Sequence, residues 1–561
     1  MNVAPPVVKP AHSGRFSVLT ADLSAGITTG ILSLPQGMAF AIIANVPPQY
    51  GLYAMIVPTI IAAFVRNSPF LTTGATNTSA LVIGVLLATL LSARNDPIGV
   101  MLLITLLIGI IQILSGALRL GGLGRYVSKA VLIGFTFGAA MLIIISQLKN
   151  VLGLSGAQKS LLIDEIRNLA GSLQTFDSRA LTIAMLSLIV VIICARISRL
   201  LPGALLAIVA SAVYVSALGW NTGEHTVAML GDIPRELPHL TVPNLSVFTD
   251  VLGPSLALAI LGMVEVISIG KAVSAKGHIK FYPNRELLAQ GAGNVVGSFF
   301  GCMPSSASWT RSVVNLQMGA KTRWVSVIAG LIVLLFLIAL APWAQCVPKA
   351  CLGAIIIWIA VQMFDFAGAR NVWRWSRKDA AVMLITFGAL LFLEIQYAIY
   401  LGVFASLLLM LHGASRLHIV EMVETDANKF REVEINENTG SSPLLLLQLE
   451  GNLFFGVVDE LKDRFEKIAA NGVQVIIIRL KRAHGLDATT IEAITDFAIN
   501  FKASGGRMIL CGLKPDMFAQ FSNAHLADVL GPENLLPTEA HTFDSVWKAI
   551  EIGKQHLDKQ L

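Results

Sequence analysis

Charged side chains are scarce in this chain. They make up 14% of its 561 residues, where a soluble globular domain carries roughly 25%. Hydrophobic residues fill 55%, and the mean hydropathy is +0.70. The scarcity excludes an ordinary soluble protein, and it is local. Up to Gly413, apolar runs near the ~20 residues that cross a bilayer follow one another with brief polar breaks. Beyond His418 charge returns at ordinary density. Two units, each suited to a different solvent, follow from that shift.

Other absences narrow the function. Cys194, Cys302, Cys346, Cys351 and Cys511 are scattered without metal-ligand spacing, and they read as apolar fillers or inert thiols. No Gly-x-x-x-x-Gly-Lys phosphate loop is present, which argues against an ATP-driven pump. No nucleophile–base pair or metal cluster stands out, so the sequence does not read as an enzyme, and no cofactor is expected. The net charge of +6 sits in loops between apolar runs, where it sets membrane orientation rather than binding nucleic acid. No secretory signal pattern is visible. Residues 1–20, with three prolines, read as a disordered cytosolic N-terminus.

What is there is a succession of roughly fourteen apolar segments between residues 22 and 412, which only helices can carry through lipid. Their connections test the orientation. With the N-terminus cytosolic, the inner connections hold Arg66, Arg119, Arg125, Lys129, Arg196, Arg199, Lys271, Lys276, Lys280, Arg285, Lys321, Arg323, Arg370, Arg374, Arg377 and Lys378. The two longest outer connections, 149–179 and 219–250, hold few basic residues. The bias favours this orientation, and an even number of spans returns the C-terminal unit to the cytosol. The membrane expected is the cell (inner) membrane.

Three segments are interrupted. Ser33-Leu34-Pro35-Gln36-Gly37 puts a proline inside the first, as a kink or a break. Leu71-Thr72-Thr73-Gly74-Ala75-Thr76-Asn77-Thr78-Ser79 and Pro304-Ser305-Ser306-Ala307-Ser308-Trp309-Thr310-Arg311-Ser312 are hydroxyl-rich starts of short apolar helices, one in each half of the membrane unit. Paired interruptions of this kind point to an inverted-repeat transporter site. A helix start offers free N–H groups and the positive end of the macrodipole, and hydroxyls add donors, so the arrangement favours an anion. Arg311 would add a full charge. The alternative is that these Ser and Thr residues simply let helices pack closely. Glu265 lies well inside an apolar run. A carboxyl there is a functional candidate by default: it can carry a coupling proton, bind Na⁺ or pair with Arg311. Its structural alternative is a hydrogen bond to a neighbouring helix. Glu394, at the join of the last two segments, reads as structural.

The run Pro35-Gln36-Gly37-Met38-Ala39-Phe40, followed by Val46-Pro47-Pro48-Gln49-Tyr50-Gly51-Leu52-Tyr53, resembles the signature of the SulP sulfate permease family. Ser308-Trp309-Thr310-Arg311-Ser312-Val313-Val314-Asn315 resembles that family's tenth segment. The resemblance implies an all-α polytopic domain of about fourteen segments in two inverted repeats, with a core bundle and a gate bundle. It also implies elevator-like alternating access, often in a homodimer. By motif it places the anion site on Gln36, Phe40, Ala75, Thr76, Thr310 and Arg311, and it gives Glu265 a part in H⁺ or Na⁺ coupling. Where the family often reads Gly-Pro, this chain has Gly74-Ala75-Thr76-Asn77, whose extra donors bear on which oxyanion is chosen.

After the transport domain at 21–415, residues 416–442 read as an acidic linker and 443–561 as a small α/β domain. Strand patterns at 444–449, 473–480 and 508–513 alternate with helical ones near 457–470, 490–503 and 543–553. This resembles the STAS domain that closes most chains of that family, and cytosolic protein partners are an expectation for it; signalling relatives carry a hydroxyl loop at its helix start. Thr489 falls where those relatives carry a phosphorylated hydroxyl, while Thr489 with Glu492 also fits a helix capping box. The expectation for the whole is secondary transport of an inorganic anion, sulfate before bicarbonate or a dicarboxylate, driven by H⁺ with Na⁺ as the rival ion. An uncoupled channel or a membrane-anchored signalling scaffold are the readings from other classes.

Overall fold

A computed structural model of the chain describes residues 15–90, 96–125, 128–154, 162–198, 202–220, 226–231, 236–340, 345–393, 395–415, 417–425, 429–435, 439, 442–524, 526–539, 541 and 543–559. Most of the segment expected to be disordered (1–14) lies outside the described residues, as do Glu394 and Arg199. Contacts divide the chain into two compact units, Met1–Leu407 and Leu408–Leu561.

The first unit is helical, apart from two short strands. Its helices are α1 (Arg15–Ile43), α2 (Pro48–Val65), α3 (Asn77–Leu90), α4 (Pro97–Ala117), α5 (Lys129–Leu152), α6 (Leu162–Ser172), α7 (Ser178–Ile197), α8 (Gly203–Ala217), α9 (Phe248–Lys276), α10 (Pro283–Ser298), α11 (Trp309–Gln317), α12 (Trp324–Leu340), α13 (Lys349–Gln362), α14 (Phe366–Trp375), α15 (Arg377–Phe392) and α16 (Ile395–Ala414). Among the described residues, seven stretches are long and apolar enough to cross a membrane. Local chemistry sets several of the boundaries. Asp96, Ser128, Asp365 and Ser376 cap α4, α5, α14 and α15 by accepting from backbone N–H groups of the first turn. Gly153 ends α5 in the left-handed region at φ 66°.

Three features differ from the sequence reading. Helix α1 runs unbroken through Pro35, because the neighbouring turns carry it across one missing N–H. It also begins at Arg15, so residues 15–20 of the segment expected to be disordered are helical. The third difference is the short helices α6 and α14, which lie in stretches read as loops. In α14, exposed Phe366 and Trp373 share a face, with Arg370 and Arg374 beside them. That composition suits a membrane–water boundary.

Close backbone approach knits the membrane unit together. Helices α1 and α2 meet where Gly37 faces Gly51, and a Cβ on Gly51 would strike the Gly37 carbonyl oxygen. Two three-residue strands precede the short helices: β1 (Thr73–Ala75) before α3 and β2 (Ser305–Ala307) before α11. They pair antiparallel, with Gly74 opposite Ser306. Non-helical backbone at membrane depth is tolerated only when it is satisfied within protein, and the pair supplies part of that. Side chains supply the rest: Thr59 donates to the Thr73 carbonyl at 2.5 Å, and Asn315 donates to the Phe70 carbonyl at 3.0 Å.

The second unit is a mixed sheet with helices on both faces. Its strands are β3 (His418–Thr425), β4 (Lys429–Glu434), β5 (Leu444–Asn452), β6 (Val475–Arg479), β7 (Ala483–His484), β8 (Arg507–Leu513) and β9 (Leu535–Pro537). The order is β4-β3-β5-β6-β8-β9, with β7 paired to β5. Its helices are α17 (Val458–Ala470), α18 (Ala488–Ala503), α19 (Pro515–Asn523), α20 (Leu526–Leu530) and α21 (Asp544–Asp558). Period-two alternation sends Ile476 and Ile478 into one core with Phe465 and Phe497, and Val475 and Ile477 into the other with Val546 and Ile550. Much of the segment read as a linker, 416–442, is in fact the β3–β4 hairpin, hydrogen-bonded to β5. Its exposed edge mixes Lys429, Arg431, Glu432 and Glu434, which hid the strand pattern. Thr489 is exposed in the first turn of α18. The cap there is Asp487, which accepts from the Thr490 N–H at 2.9 Å, so the capping-box reading of Thr489 is corrected.

Two tests follow. Gly51→Ala overpacks the α1–α2 contact and should cost about 1–3 kcal/mol, read as a thermal midpoint in detergent lowered by several degrees. In the second unit, burial in the sheet pushes the Cys511 thiol up to about 12. At pH 8 it is therefore almost wholly protonated and inert, and peptide mapping after treatment with a thiol reagent should find it unmodified until the domain is unfolded.

Candidate functional site

The strand pair gathers most of the residues that sequence reasoning selected. Arg311 is 0% exposed. One Nη donates to the Gln36 Oε1 at 3.2 Å, and the other to the Ala75 carbonyl at 3.0 Å. Gln36, Ala75 and Arg311 are thus joined directly, through α1, β1 and α11. Gly74 makes room for them, since a Cβ there would sit 3.0 Å from the Arg311 Nη2 and 2.8 Å from the Met55 Sδ. Phe40 lies one turn beyond Gln36 on α1 and is buried in the apolar core that also holds Ala75. Thr310 is exposed at the start of α11.

The two helix starts are not equivalent. Thr76 caps α3: its hydroxyl accepts from the Ser79 N–H at 3.4 Å and pairs with the Ser79 hydroxyl at 2.8 Å. Its oxygen is engaged within the turn. By contrast, Ser308 makes no side-chain cap on α11. The first-turn N–H groups of a helix have no intrahelical partner, so α11 presents the stronger donor surface, next to Thr310 and Arg311.

Among the described residues, no carboxylate makes an ion pair with Arg311. Glu265 does not supply one. It instead accepts from the Ser306 hydroxyl at 2.8 Å, and from Thr78. The candidate pairing of Glu265 with Arg311 is therefore corrected. A second buried arginine shows the contrast. Arg66, 1% exposed, lies 3.9 Å from Glu286, which is equally buried. It also donates to the Leu71 carbonyl and the Thr73 hydroxyl. The Glu286 Oε1 accepts from the N–H groups of Asn67 and Ser68. Arg66 is balanced and fastens the chain leading into β1; Arg311 is not balanced.

Sequence reasoning missed the amides behind the strands. The Asn294 Oδ1 accepts from the Ser305 N–H at 2.8 Å, and its Nδ2 donates to the Ser305 carbonyl at 3.0 Å. The side chain thus pairs with β2 as a further strand would. Gln112, on α4, accepts from the same Nδ2 at 3.0 Å. The signal was present: Gln290 and Asn294 are four residues apart, on one face of a glycine-rich helix. No group of three or more His, Cys, Asp or Glu able to hold a metal occurs among the described residues.

Gly74→Ala should push the Arg311 Nη2 and the Met55 sulfur out of place. The expected result is an anion KM raised several-fold with the folded yield in detergent unchanged, measured by uptake kinetics and size-exclusion chromatography.

Residues 19–386 match the sulfate permease family, and residues 431–549 match the STAS domain. The chain is similar to the putative sulfate transporter YvdB of Bacillus subtilis, at 29% identity over 90% of this chain and 94% of that protein. It is similar to the sodium-independent sulfate anion transporter of Bos taurus, at 28% identity over 91% of this chain and 86% of that one. The fold matches the murine solute carrier 26 family member A9 anion transporter with a TM-score of 0.86, at 20% identity, covering 97% of this chain and 92% of that chain. The chain belongs to the sulfate permease family of membrane transporters, and its second unit is a STAS domain.

Proposed function

We propose that the membrane unit takes up sulfate by secondary transport coupled to protons, with Gln36, Phe40, Ala75, Thr76, Thr310 and Arg311 around the anion and Glu265 carrying the proton. One observation bears most of the weight: Arg311 is fully buried at the strand pair, and among the described residues its guanidinium meets only neutral acceptors. A buried charge is costly unless something compensates it. An oxyanion at the uncapped start of α11 would do so. Phe40 and Ala75 supply an apolar wall, Thr310 an exposed hydroxyl, and Thr76 holds the facing helix start in shape. Relatives named as sulfate transporters support the choice of anion.

Coupling has a physical route. Glu265 reaches β2 through Ser306, and Arg311 reaches β1 through the Ala75 carbonyl, so both charges act on one strand ladder. Protonating Glu265 weakens it as an acceptor for Ser306, and anion binding draws Arg311 away from Ala75. Side chains tie α1, α9, α10 and both strands together. That supports their movement as one body, with elevator-like alternating access against the remaining helices. The lysine and arginine bias supports a cytosolic placement for both ends of the chain, in the cell's inner membrane. A homodimer, and regulation through Thr489 or through a protein bound to the STAS domain, extend the same reading.

Labelled sulfate uptake into proteoliposomes under an imposed pH gradient tests it. Acid outside should accelerate uptake, and Glu265→Gln should flatten the pH dependence. No uptake, or uptake indifferent to the gradient, contradicts the reading.

A further inference from the structure

Beside the strand pair is a cavity of about 10 Å³, room for about one water. Thr78, Gln112, Gly262, Glu265, Ser305 and Ser306 line it. The orientation of the Gln112 amide follows from its neighbours. The Ser305 backbone fixes Asn294, since a backbone N–H can only donate and a carbonyl can only accept. The Asn294 Nδ2 then meets the Gln112 Oε1, which turns the Gln112 Nε2 away from Asn294 and toward α9. There Gly262 leaves the space: a Cβ on it would lie 3.0 Å from that Nε2. Gln112 is 0% exposed, and its Nε2 has no hydrogen-bond partner among the described residues. An unpartnered donor and an acid share one small cavity.

A water in this cavity would accept from the Gln112 Nε2 and donate to the Glu265 carboxylate. Sodium does not suit the position, because it needs oxygen ligands and an N–H directed into the space repels it. No other titratable side chain lines the cavity. The elements packed on α9 bring Gln112 from α4, Gln290 and Asn294 from α10, Thr78 and Ser79 from α3, Ser305 and Ser306 from β2, and Arg311 from α11, already bonded to Gln36 and Ala75. The turn Leu120–Arg125 carries only Arg125, and Lys271 lies more than a turn along α9.

We propose that this cavity is a single-water site linking the Gln112 amide to the Glu265 carboxylate, and that Gln112 is the positioning residue that adapts Glu265 to exchange a proton and not sodium. The inference rests on Glu265 as the coupling group. A donor directed at a carboxylate favours its ionised form. Removing that donor therefore moves the pH of half-maximal uptake upward.

The test compares wild type, Gln112→Leu, Gly262→Ala, Gln290→Leu and Glu265→Gln in proteoliposomes, with sulfate uptake measured against external pH in sodium and in choline buffers. Gly262→Ala crowds the Nε2 atoms of Gln112 and Gln290, each 3.0 Å from the new Cβ, without changing Gln112 itself, and it serves if Gln112→Leu fails to fold. Gln290→Leu, which leaves Gln112 in place, should keep the wild-type midpoint. The expected result is a midpoint raised by about half a unit or more in Gln112→Leu and Gly262→Ala, with uptake equal in sodium and choline. Midpoints unchanged in both, while Glu265→Gln flattens the profile, overturn this inference and leave the proton reading standing. A Glu265→Gln profile like that of wild type removes the coupling role itself, and uptake that requires sodium overturns both.

Discussion

A buried guanidinium that meets no counter-charge among the described residues governs this structure. Arg311 sits at the junction of β1, α1 and α11, where its donors meet one amide oxygen and one backbone carbonyl. Much of the local architecture accommodates it. Gly74 has no side chain because Arg311 lies against it. β1 and β2 pair because backbone that leaves the helical path at membrane depth must find partners nearby. Asn294 completes that pairing from α10. The positive charge and the uncapped start of α11 lie side by side there, and the proposed anion would meet both.

The two buried arginines show how like residues take unlike parts. Arg66 has Glu286 beside it and binds the chain ahead of β1, where removing either partner would strand the other's charge. The same stretch is held from α11, by the Ser312 hydroxyl on the Thr72 N–H at 3.2 Å and by Asn315 on the Phe70 carbonyl. Arg311, by contrast, meets no carboxylate among the described residues.

Much of this was legible in the sequence. Scarce charge gave the membrane unit, and the hydroxyl-rich runs at 71–79 and 304–312 marked both interruptions, because composition alone distinguishes them from apolar spans. The pairing of β1 with β2 was not legible, since three residues carry no period. Nor was the cap at Thr76: a hydroxyl at a helix start reads equally as a cap or a ligand donor, and the bond from the Ser79 N–H appears only in the folded chain. Gln112 and Asn294 escaped notice as uncharged residues far apart in the chain. The β3–β4 hairpin escaped because the mixed charges along its exposed edge mask the strand alternation.

The central claim is that an anion neutralises Arg311. Equilibrium binding of labelled sulfate to purified protein in detergent tests it most directly, comparing wild type with Arg311→Gln. Losing a charge-assisted hydrogen bond of about 1.5–3 kcal/mol predicts binding weakened about 10- to 100-fold. Equal affinity in the two proteins would contradict the account.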